Sequence, residues 1–123
     1  MHPLRALLHD PRLRPRWRGL FITLLGVVAW FAFMPAQRVP EFTGLDKINH
    51  VLAFAALAST AALAFAARVP ALVLALLGYG GFIEVVQSVL PTRHGDWVDL
   101  VADAVGIAAG LLWVALLRRW TGR

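Results

Sequence analysis

The thirty residues from Gly81 to Gly110, GFIEVVQSVLPTRHGDWVDLVADAVGIAAG, hold four of the chain's seven carboxylates: Glu84, Asp96, Asp99 and Asp103. Asp96, Asp99, Asp103, Gly106 and Gly110 step by 3, 4, 3 and 4, the spacing of one helix face. Glu84, Gln87 and Ser88 share a face in the same way. Pro91 separates the two runs, and Thr92–Gly95 is turn-like. Carboxylates gathered on facing helices can accept hydrogen bonds, hold a cation or move a proton. With His50 added, the donor types suit a hard metal or general acid–base work. The chain lacks HExxH, GxSxG and an arginine-histidine phosphatase signature, and it has no cysteine. No metal site and no cofactor are assigned on this basis.

The surroundings decide which elements carry these residues. Hydrophobic residues make up 59% of the 123 and charged residues 15%, too apolar for a soluble domain of this length. The apolar residues come in blocks long enough to cross a bilayer. The expected fold is therefore all-α, an integral membrane four-helix bundle forming one domain. A net charge of +5 could suggest nucleic acid, but the basic excess flanks the apolar blocks, as topology signals do. Nucleic acid is not an expected partner; the lipid bilayer is.

Residues 1–18 form a basic arm with Arg5, Arg12, Arg14, Arg16 and Arg18, in which Pro11 and Pro15 argue against a continuous helix. Residues 19–117 are the four-span membrane domain, and 118–123 a basic tail. The spans are placed at Gly19–Ala36, Ile48–Ala67, Val69–Leu90 and about Trp97–Leu117. The first apolar run is long for a cleavable signal and is read as a retained span. Asp46 is expected to cap the second span. Its inner face is read as Asp46, Asn49 or His50, Ala53, Ala56 or Leu57, and Thr60. The third span turns Leu77, Gly80 or Gly81, Glu84, and Gln87 or Ser88 inward. Gly106 and Gly110 form a GxxxG read as packing within the bundle.

An even number of spans puts both termini on one side. Arg5, Arg12, Arg14, Arg16, Arg18, Arg68, Arg118, Arg119 and Arg123 lie there, leaving Arg38, Lys47 and Arg93 opposite. The termini are therefore expected in the cytoplasm, and the chain in a bacterial inner membrane as a multi-pass protein. Asp46, Lys47, His50, Glu84, Gln87, Arg93, His94, Asp96, Asp99 and Asp103 then converge at the extracytoplasmic end. Glu84, six residues before Leu90, lies about 9 Å inside its helix end, and Asp103, seven past Asp96, about 10 Å. A lipid-facing carboxylate there costs about 2–3 kcal/mol, so both should face each other, a partner or water. Asp46, Glu84, Asp96, Asp99 and Asp103 outnumber Lys47 and Arg93. Either a carboxyl is protonated or something cationic binds. Asp96 has a plainer reading as the cap of the fourth helix, and His50 as an interhelical hydrogen-bonder.

Together these residues resemble the VanZ-like family of small bacterial membrane proteins. The likeness runs through DKINH (Asp46, Lys47, His50), EVVQ (Glu84, Gln87), PTR (Pro91, Arg93) and DLVADAVG (Asp99, Asp103, Gly106), covering about residues 45–110. The family pattern often has asparagine where this chain has Asp103, which adds a charge. The resemblance implies a cell-envelope protein, with its namesake associated with resistance to teicoplanin, a lipid-tailed glycopeptide antibiotic.

Three functions stay open. In the first, a polar pocket binds an envelope lipid, a lipid-linked precursor or a membrane protein partner, through Asp46, Lys47, His50, Glu84, Gln87, Arg93, Asp99 and Asp103. In the second, His50, Glu84, Asp99 and Asp103 serve a membrane-embedded enzyme acting on an envelope lipid. The third is a small proton-coupled exporter. Such exporters place a glutamate within the first span, and this first span is uncharged. The ranking is binding protein, enzyme, exporter.

Overall fold

The structure is a computed structural model that describes residues 3–35, 46–91 and 95–122, leaving out the side chain of Asp46. Among the described residues every element is helical. A short α1 (Pro3–His9) and a 3₁₀ turn (Pro11–Leu13) precede α2 (Arg14–Phe33). The long helices α3 (Asp46–Ala64), α4 (Val69–Val89) and α5 (Trp97–Thr121) follow. Four of these helices are long and apolar enough to span a bilayer.

Proline sets several boundaries. The expected interruption of the basic arm falls at Asp10 and Pro11, where Asp10 caps the 3₁₀ turn by accepting from the Arg12 N–H. Pro15 does not break the helix. It sits in the first turn of α2, where its missing N–H has no intrahelical role, so α2 begins five residues before the expected Gly19. Pro70 opens α4 in the same manner. The second span ends at Ala64, three residues short of expectation, and the fourth continues to Thr121, four beyond it.

Arginine accounts for the first of these shifts. Arg18 Nε donates to the Ala64 carbonyl at 3.1 Å, and Arg118 donates to the carbonyls of Ala62 and Leu8 at 3.2 and 3.1 Å. The C-terminal carbonyls of a helix lack intrahelical partners and carry partial negative charge, so two guanidiniums complete the end of α3. Arg18 also lies over the Phe65 ring, 5.3 Å from its centroid.

These contacts fix the helix directions. Arg18 near the start of α2 meets the end of α3, so those two are antiparallel. Gln87 near the end of α4 donates to Ala32 near the end of α2, so those two are parallel. Lys47 at the start of α3 meets Asp96 and Asp99 at the start of α5. The bundle is up-down-up-down, with α3 and α5 its most closely packed pair. Phe54, Leu57, Ala58, Leu76, Ile83 and Ile107 form the core, covered on one side by Phe21, Leu25 and Val28 of α2. Leu8, Leu63 and Val114 form a smaller cluster at the terminal end. Trp30 and Trp97 are exposed at one end of the bundle and Trp120 at the other, where amphipathic rings meet the two membrane interfaces.

Candidate functional site

The N-terminal ends of α3 and α5 and the C-terminal end of α4 meet at one end of the bundle. Two helix N-termini there offer partial positive charge, which favours carboxylates within the first turn or so. Asp96 is the N-cap of α5, its Oδ1 accepting from the Val98 N–H at 2.9 Å, as its plainer reading expected. It also does more. Asp96 Oδ2 accepts from Lys47 Nζ at 2.7 Å, and the same ammonium donates to Asp99. Lys47 thus bridges one half-exposed and one buried carboxylate.

Two turns into the bundle, His50 Nδ1 lies 2.8 Å from Asp103 Oδ1, while its Nε2 is 3.5 Å from Asp99 Oδ2. Both imidazole nitrogens therefore face carboxylates of α5. Glu84 on α4 completes the group. Its Oε2 accepts from the Asp96 backbone N–H at 2.7 Å, and its Oε1 is buried with no hydrogen-bond partner among the described residues. Glu84 and Asp103 are each 1% exposed, inside four helices that must lie in hydrocarbon. Gly80 makes room for this: a Cβ there would fall 2.6 Å from Asp103 Oδ2. His50, Glu84 and Asp103 each place one ligand-type atom within 4.8 Å of the other two.

Lys47, His50, Glu84, Asp99 and Asp103, read from the sequence as one site, do come together. Gln87 is buried as expected, but its amide is held by the Ala32 carbonyl of α2. Asp46 is the first residue of α3, with its side chain outside the described residues; Arg93 and His94 lie outside them altogether. The sequence reading set Asp96 aside as a cap and so missed its two further roles, on Lys47 and on Glu84. Asp96 and Asp99 stand three apart and so can share one cation, but residue order does not say that the cation is Lys47 or that the Asp96 N–H meets Glu84.

The sequence matches the family described as VanZ/LLP1 over residues 20–118, a stretch that takes in most of all four spans and the whole described cluster. The chain belongs to the VanZ/LLP1 family. No curated protein and no solved structure matches it. As a VanZ/LLP1 member with four candidate spans, it is a multi-pass membrane protein in contact with the bilayer. At the opposite end of this VanZ/LLP1 bundle a separate groove is lined by His9, Arg14, Ala62 and Arg118, among others. Arg118 is already committed there to the carbonyls of Leu8 and Ala62.

Asp96 lies just outside the fourth span. The Lys47 ammonium, and after it the Val98 N–H, hold its carboxyl below the usual aspartate range. A carboxyl depressed in the folded state stabilises the fold above its unfolded value, about 3.9, and that contribution is lost as pH falls further. Asp96→Asn keeps the cap, since asparagine caps as well as aspartate, and removes only the charge. The stability difference between native protein and Asp96→Asn, measured by denaturant unfolding in micelles, should be steady near neutral pH. It should close below about pH 4. A gap unchanged at pH 3 would detach Asp96 from Lys47.

Proposed function

We propose that this VanZ/LLP1 protein sits in the bacterial cytoplasmic membrane with both termini inside. In this reading its polar cluster faces the extracytoplasmic side and binds the headgroup of an envelope lipid or lipid-linked precursor. The single observation that carries it is the buried Glu84 Oε1, an acceptor without a hydrogen-bond partner among the described residues, in a cluster dominated by acceptors. Leaving such an atom buried and unbonded costs about 1–3 kcal/mol, which a ligand donor would recover. The chemistry favours a headgroup rich in hydroxyl or ammonium donors, because Lys47 is already bound to Asp96 and Asp99. A link to teicoplanin resistance follows if that headgroup belongs to the cell-wall pathway the antibiotic intercepts.

The enzyme reading is weaker on one specific ground. A general base needs a nitrogen open to substrate, and both nitrogens of His50 face Asp103 and Asp99.

Orientation is tested by labelling. Single cysteines at Pro91 and at Arg68, both exposed, replace residues at opposite ends of the bundle. With an impermeant thiol reagent on intact cells, Pro91→Cys should label and Arg68→Cys should not. The reverse pattern would put the cluster in the cytoplasm and end the envelope-headgroup reading. For binding, native protein in nanodiscs should retain lipid-linked precursor from a total envelope-lipid extract, with retention lost in Glu84→Gln. Equal retention by both would remove the cluster from recognition.

A further inference from the structure

We propose that His50, Glu84 and Asp103 form a binding site for one divalent first-row transition ion, buried between α3, α4 and α5. The site uses the same buried Glu84 as the headgroup reading but needs no lipid, and ion binding by the lipid-free chain tests it apart from that reading.

Four observations converge on it. The three side chains come from three helices yet bring one imidazole nitrogen and two carboxylate oxygens within 4.8 Å of each other. Ligand atoms of one such ion sit roughly 3 to 4 Å apart, so small side-chain rotations close the set. The His50 Nδ1 to Asp103 Oδ1 separation, 2.8 Å, already lies near the edge length of a coordination polyhedron. An ion there takes the place of the proton the two atoms share.

Glu84 supplies the second observation. It is 1% exposed, one oxygen is fixed by the Asp96 N–H, and the other is buried without a hydrogen-bond partner among the described residues. A buried carboxylate is stable when paired or coordinated, and a cation does both.

Charge is the third. Among the described residues the cluster sets four carboxyls, Glu84, Asp96, Asp99 and Asp103, against the one ammonium of Lys47, an excess of three. Lys47 is taken by Asp96 and Asp99, and a divalent ion deeper in the bundle removes two of the three.

The fourth observation is the support behind the ligands. A metal-bound histidine commonly presents its other nitrogen to a carboxylate, which fixes the ring and raises its basicity. Here His50 Nε2 faces Asp99, and Asp99 is itself held by Lys47. Imidazole with carboxylates favours zinc, manganese or iron over magnesium or calcium. Sequence spacing could not show this, because His50, Glu84 and Asp103 stand 34 and 19 residues apart along the chain.

The test uses the full chain, purified in detergent, stripped with chelator and titrated with Zn²⁺, then with Co²⁺. The expected result is one Zn²⁺ per chain, an unfolding temperature raised by about 5 °C or more at saturation, and a Co²⁺ visible spectrum showing nitrogen and oxygen ligation. Glu84→Gln and His50→Ala should each weaken Zn²⁺ more than about 100-fold, and the supporting Asp99→Asn about 10- to 100-fold. His9→Ala, at the far end of the bundle, should leave the stoichiometry at one. If His50→Ala fails to fold, the near-isosteric Glu84→Gln and the Co²⁺ spectrum of the native chain decide. No ion retained by the native protein, or equal retention by Glu84→Gln, would overturn the site.

Discussion

Glu84→Gln is expected to leave the protein folded and at native abundance in the membrane, and to reduce its activity to that of a host lacking the gene. The two halves of this result have separate causes. Glutamine matches glutamate in shape, and its carbonyl oxygen can keep accepting from the Asp96 N–H, the bond Glu84 Oε2 makes at 2.7 Å. Its amide nitrogen then takes the place of Oε1, within the group that holds Asp103, and brings a donor to a cluster of acceptors. A buried carboxyl is replaced by a neutral amide that brings donors, so stability should hold or rise, within about 1 kcal/mol. On the headgroup reading recognition should fail, because the cluster loses a carboxyl whose buried Oε1 has no hydrogen-bond partner among the described residues. The check is growth under teicoplanin or other envelope stress, with membrane abundance measured on the same cells. Native performance from Glu84→Gln would leave Glu84 with a structural role alone.

The largest loss of stability should come from a single methyl group. A Cβ at Gly106 would drive into the Val51 carbonyl oxygen and meet Ala55 N and Phe54 Cβ at 3.1 Å, and one at Gly110 would meet the Ala55 carbonyl and Ala58. Those are mostly backbone atoms of α3. They cannot turn aside as a flexible side chain can, so the whole helix must retreat. Small residues let helices approach in lipid, where no hydrophobic driving force restores a widened interface. Gly106→Ala should cost toward the upper end of about 1–3 kcal/mol for overpacking. It should also open the site, since α3 and α5 carry the Lys47–Asp99 and His50–Asp103 contacts. Gly81→Ala is the matched control. Nothing lies within 4 Å of a Cβ there, so the same methyl should be neutral or stabilising by up to about 1 kcal/mol. Unfolding midpoints of the two variants in mixed micelles check the contrast. Equal midpoints would mean that α3 and α5 are not held by the glycine contact.

Four spans, their alternation and the gathering of Lys47, His50, Glu84, Asp99 and Asp103 at one end were legible from residue order. The reason is physical. Hydrocarbon admits only backbone that bonds to itself, so apolar runs become helices of nearly fixed length. Connecting turns then force alternate ends together. Within that frame, helical spacing sorted Glu84, Asp99 and Asp103 onto inward faces, because lipid penalises them elsewhere. The packing use of Gly106 and Gly110 followed from the same logic.

Pairing was not legible. Residue order gave Lys47 and Arg93 as bases to be shared among carboxylates, and nothing in it assigned Lys47 to Asp96 and Asp99 or turned both nitrogens of His50 to α5. Gln87 could as well have joined the carboxylates as the Ala32 carbonyl. Arg18 and Arg118 read as orientation signals, and their hold on the end of α3 depends on where three helix ends meet. Periodicity names the face of a helix. The depth at which each helix sits against its neighbours, and the rotation that selects one partner among several at similar distance, is set by close packing of α3 on α5 through Gly106 and Gly110, and that is a property of the assembled bundle.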